Sequence, residues 1–101
     1  MKTRIISYSE IKEMFQEILM ALEQRPLDEQ HILDKGAQLT FALAICLSQM
    51  KSADSAHYPE KSVHLTILEQ AKRTITYKIN TCTIEEISRQ VTSADRAFGV
   101  Q

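Results

Sequence analysis

Seven consecutive apolar residues, Phe41-Ala42-Leu43-Ala44-Ile45-Cys46-Leu47, constrain this chain more than any other stretch. A helix carrying such a run has no polar side for two turns, so every side there calls for a covering of protein. The 41–47 segment is therefore expected at the centre of the fold or inside an interface. Only two Gly and two Pro interrupt 101 residues, and so few breakers favour helices over the many turns of a sheet. A chain of this length holds one core, so residues 1–101 read as a single helical domain.

The pattern along the chain predicts four helices. Ser7 with Glu10 has capping-box spacing, and Ile11, Met14, Phe15, Ile18, Ala21 and Leu22 follow at intervals of three and four. Pro26 disfavours helix at Arg25, which ends this element near Gln24. Asp28 can cap a second helix whose stripe is Ile32, Gly36, Leu39, Leu43, Cys46, Leu47 and Met50, with a second stripe of Ala37, Phe41, Ala44 and Ile45. Gly36 costs about 1 kcal/mol in a helix relative to Ala, so a packing reason is expected for it.

Residues 51–58 lack periodicity and form the main loop, and Pro59 suits the first turn of a third helix. Leu65, Leu68, Ala71, Ile75, Ile79 and Cys82 carry a stripe through that helix, which favours helix over 74–79. The same residues also alternate and are rich in β-branched side chains, which leaves an α+β alternative with a short strand pair from 2–7 and 74–80. Thr83 with Glu86 is a second capping box, Ile84, Ile87, Val91, Ala94 and Phe98 share one face, and Gly99 is expected as a left-handed C-cap. Short links make neighbours antiparallel, so the fold class is an all-α four-helix antiparallel bundle.

Function is bounded chiefly by what the chain lacks. A net charge of −1 provides no field for a polyanion. No apolar run approaches the roughly 20 residues that span a bilayer, and Ile5-Ile6 after Lys2 and Arg4 is too short for a signal-peptide core. A cytoplasmic protein is expected, with Cys46 and Cys82 as free core thiols. His31, His57 and His64 show no metal-ligand spacing, although Glu60, His64 and the nearby His57 could meet. The loop residues Ser52, Asp54, Ser55 and His57 are the types of a hydrolytic triad without its rigid frame. Neither a phosphate cradle nor a Glu-x-x-His iron motif occurs, so no cofactor, no metal and no enzyme activity are expected.

Lys72, Arg73 and Lys78 with a final segment from Thr83 to Phe98 would be the elements of a helical DNA-binding regulator. Ile84-Glu85-Glu86-Ile87 resembles the opening of a helix-turn-helix, but the turn at Val91-Thr92-Ser93 has no glycine and few residues could reach DNA. Tyr8, Tyr58 and Tyr77 could anchor an interface, while Met14, Met20 and Met50 read as core filling.

Charge is uneven in one place. Between Glu10 and Asp34 stand seven carboxylates against Lys12 and Arg25 alone. Glu10, Glu13 and Glu17 step by three and four along the first helix, with Glu23, Asp28 and Glu29 around the following corner. These six residues are the candidate partner-binding set. They point to a small protein-binding module that engages a basic partner protein, in the manner of an immunity protein, an antitoxin or a secretion chaperone. The alternatives are a homodimer joined through the 41–47 run and the DNA-binding regulator.

Overall fold

The computed structural model describes residues 5–53 and 55–99, and among these four helices and no strand are formed. α1 spans Tyr8–Glu23, α2 Glu29–Ser52, α3 Lys61–Thr74 and α4 Ile84–Gly99, with a 3-10 turn at Ser55–His57. α1 packs on α2 and α4, and α3 packs on α2 and α4, so the helices form a ring around one core. The molecule is an all-α bundle, as the stripes and short links predict.

Local chemistry sets three of the helix starts. The Ser7 Oγ accepts from the Glu10 amide at 3.2 Å, the Asp28 carboxylate from the His31 amide at 3.1 Å, and the Thr83 Oγ1 from the Glu86 amide at 3.1 Å. Each satisfies an amide that has no partner within its own helix. At the other end of α1, the Arg25 guanidinium donates to the carbonyls of Leu22 at 2.9 Å and Gln24 at 2.8 Å. The core joins Ile11, Phe15 and Ile18 of α1 to Ile32, Leu39 and Leu43 of α2, with Leu68, Ile87 and Val91 closing it from the far side.

Three expectations are corrected. The 74–79 segment is not helical beyond Thr74, nor is it a strand; the chain turns extended at Ile75, and residues 75–78 join the helix to a turn without regular structure. The Gln90 side-chain oxygen accepts from the Thr76 amide at 2.7 Å and the Tyr77 amide at 2.9 Å, replacing the carbonyls that a continuing helix would have supplied. Tyr77 is buried and its hydroxyl donates to the Gly36 carbonyl at 2.9 Å, so this piece fills the core that a longer α3 was expected to fill. The proposed strand partner at 2–7 lies partly outside the described residues. Gly99, second, is the last residue of α4 and has no positive φ, so it is not a left-handed cap.

The third correction concerns the 41–47 run. Ala42, Leu43, Cys46 and Leu47 are buried and Ile45 is half-buried, but Ala44 is exposed and Phe41 is 73% exposed. α2 packs against α1, α3 and α4, and Phe41 and Ala44 lie on the side left open to water. The inner stripe from Ile32 to Met50 is buried as expected; the second stripe is the outer one. Gly36 has its packing reason: a Cβ there would lie 3.2 Å from the Tyr77 hydroxyl.

Candidate functional site

α1 and α2 form an antiparallel hairpin whose level is set by two contacts. Lys35 Nζ donates to Glu17 Oε2 at 3.0 Å, and the Ile6 amide donates to Gln49 Oε1 at 2.9 Å. Between these levels the exposed edge of α2 carries Phe41, Ala44 and Ile45, which with Ser48 and Gln49 shape a shallow depression of about 430 Å³. The same register brings Phe41 level with Glu13 and Ile45 level with the start of α1.

Along α1, Glu10, Glu13 and Glu17 fall within about 60° of each other around the helix axis. Glu13 and Glu17 are exposed, and Glu10 is half-buried. Met20 is 63% exposed and shares their side, three residues past Glu17, so it does not fill the core as expected. Glu23, six residues past Glu17, is turned about 120° from it around the helix axis, at the corner that leads to Asp28 and Glu29. Asp28 and Glu29 stand exposed at the start of α2, where the Asp28 side chain is engaged in capping. Carboxylates there also complement the positive end of the helix dipole. Lys35, one residue past the acidic tract, folds back onto Glu17 and partly offsets the acid excess.

The tyrosines are placed otherwise than as interface anchors. Tyr8 and Tyr77 are buried and Tyr58 is half-buried. Tyr8 stacks on the His64 ring with centroids 3.7 Å apart and planes within 7°, and it also tilts against Phe98 at 5.5 Å. The Tyr58 hydroxyl and His64 Nδ1 share a hydrogen bond of 2.6 Å, which Tyr58 donates when the ring proton sits on Nε2. Burial lowers the His64 pKa, with Glu60 opposing and Lys12 adding to the shift.

Both cysteines are free, and burial pushes the Cys46 thiol up to about 11 and raises that of Cys82. Neither thiol is thereby activated as a nucleophile. Among the described residues no three His, Cys, Asp or Glu side chains are grouped to hold a metal. Of the triad types in the main loop, Asp54 lies outside the described residues, and Ser52 Oγ donates to the Ser48 carbonyl at 3.3 Å. Lys72 and Arg73 lie in the last turn of α3, where cations complement the dipole, and they border a depression with Leu47, Lys51 and Glu69. No helix among the described residues is long and apolar enough to cross a membrane.

Fold and surface thus define a helical bundle with a mixed apolar and acidic hairpin face. Compared with protein-family models, with curated proteins and with solved structures, the chain matches none.

What sequence reasoning missed is Phe41. The signal was available, because Phe41 sits nine residues from Ile32 and five from Gly36, positions about 180° and 140° around the helix. Counting the run as one apolar block concealed that geometry.

Proposed function

We propose that this chain is a small non-catalytic protein-binding module of the cytoplasm that holds a basic partner protein on the outer face of the α1–α2 hairpin. The observation that carries the reading is the exposed Phe41, 73% open, with Ala44 and Ile45 beside it and Glu13 at its level. A large aromatic side chain left in water, with a carboxylate at its level on the neighbouring helix, has the make-up of a contact with an apolar centre and a charged rim. The acids steer and orient a cationic surface, and Phe41 supplies the desolvated anchor. Immunity proteins, antitoxins and secretion chaperones are the functional classes such a face suits.

Affinity capture at low salt tests this. The wild-type chain retains a basic protein that Phe41→Asp and the pair Glu13→Lys with Glu17→Lys both lose. Retention of nothing, or retention indifferent to both changes, removes the reading.

The exposure of Phe41 also favours a second reading, a homodimer through α2. Two copies related by a two-fold axis would bring like carboxylates close to one another, which is why a basic partner is preferred. A mass that rises with concentration in sedimentation, and returns to the monomer value in Phe41→Asp, would reverse that preference.

A further inference from the structure

We propose that the cleft between α3 and α4 binds an anionic single-chain amphiphile, with its carboxylate on Arg96 and its hydrocarbon chain along Val63 and Ile67. The cleft has a volume of about 670 Å³, within the roughly 300–1,000 Å³ of small-molecule sites. Its apolar wall is Val63 and Ile67 of α3 with Ala97 of α4, and Val63 is 56% exposed. Ser62 and Ser93 keep the rim low, so a chain can lie against the wall.

Charge selects the head group. Among the described residues Arg96 is the only charged one lining the cleft, and it has no ion pair and no hydrogen bond there. Within α4, the residues three and four positions from it are Thr92, Ser93 and Gly99, none of them acidic. A guanidinium binds a carboxylate through two parallel hydrogen bonds, which suits the head group of a fatty-acid-like anion. Gln70, at the far end of the α3 wall, offers no opposing charge.

Length selects against a guest helix. From Ser62 to Gln70 the wall runs about 12 Å, little more than two helical turns. Two turns are too short a seat for a helix whose order must come from the contact, whereas an extended chain of medium length fits along them.

Titration of the full chain with dodecanoate below its micellar concentration tests the proposal, read by calorimetry and by amide NMR shifts. One-to-one saturation is expected, with shifts centred on residues 62–70 and 93–97. Arg96→Gln, shown by circular dichroism to keep its helices, should weaken binding about tenfold or more, and Arg96→Lys should fall between the two. Dodecylamine should bind far more weakly than dodecanoate. Shifts that never saturate, equal binding of the amine, or an indifferent Arg96→Gln would each overturn it. So would a two-sided Leu/Glu helical peptide that displaces dodecanoate at lower concentration, which would make the cleft a seat for a helix.

Discussion

α2 runs for 24 residues and buries eight of them in one stripe, whereas α3 runs for 14 and buries Leu68 and Ala71 alone. The two lie against each other and face the same core, so their surroundings do not explain the difference. What differs is how each is held. α2 is fixed along its length by apolar packing, and its end is a matter of local chemistry. α3 is fixed at its end, where Gln90 takes the amides of Thr76 and Tyr77 and where Tyr77 reaches back to Gly36. A continuous stripe therefore means continuous helix only where no distant side chain offers the backbone a better partner.

The sharpest way to break this contrast is within α2 itself. Leu43→Ala removes a fully buried side chain and should cost about 2–5 kcal/mol, seen as a large fall in the denaturation midpoint. Phe41→Ala, two residues earlier on the open side, should change stability by no more than about 0.5 kcal/mol. Equal losses at the two positions would mean that Phe41 is covered in solution, and that the hairpin face is occupied by a second copy.

Gln90→Ala comes next and addresses the end of α3. It leaves the Thr76 and Tyr77 amides without their acceptor, and with Tyr77 N partly buried the expected loss is about 1–3 kcal/mol. Hydrogen exchange at those two amides should accelerate more than at amides in α2. If instead circular dichroism gained helix in the variant, 75–78 would be a helix held open by Gln90 alone.

How much of this was legible in the sequence follows from the range of the forces. Ser7, Asp28 and Thr83 cap their helices through atoms three residues away, and such pairings lie inside any local window. The inner stripe of α2 was legible because burial follows the helical period. The break after Thr74 depends on Gln90, and the use of Tyr77 as a core residue depends on Gly36, 41 positions away. Nothing near residue 77 announces either. The candidate face was half legible: the spacing of Glu10, Glu13 and Glu17 gives their common side, but Lys35, which pairs with Glu17, stands just outside the acidic tract. Gly99 was misread because a glycine after a stripe resembles a cap whether or not its φ turns positive.

Gly36 and Tyr77 allow a test by sign. Alanine at 36 gains up to about 1 kcal/mol of helix propensity, but its Cβ would press on the Tyr77 hydroxyl at 3.2 Å and stretch the bond to the Gly36 carbonyl. Gly36→Ala alone should therefore be neutral or destabilising. Tyr77→Phe alone should cost about 0.5–1.5 kcal/mol through the lost hydrogen bond. Once Tyr77→Phe has removed the obstructing hydroxyl, Gly36→Ala should become stabilising, and a double-mutant cycle should show coupling of opposite sign to the single effect. Simple additivity would mean that the phenol yields freely and that the clamp on the end of α3 rests on Gln90 alone.

The smallest expected effect lies at the other end of α3, where His64 sits between Tyr8 of α1 and Tyr58 of the preceding loop. Burial lowers the His64 pKa from 6.5 in the folded chain; Lys12 on α1 adds to the shift and Glu60 opposes it. As pH falls, the unfolded chain thus takes up this proton first. The contribution is fully present above pH 6.5 and is lost as pH falls from there through the folded value. Protonation also turns Nδ1 from acceptor into donor, so Tyr58 must reverse its hydrogen bond. His64→Phe keeps a flat ring against Tyr8 but has no proton to take up, so its stability should fall less than that of the wild type between pH 7.5 and 5.5. Parallel profiles would show that His64 is already solvated, and that the start of α3 is held by the ring stack rather than by the imidazole's hydrogen bond.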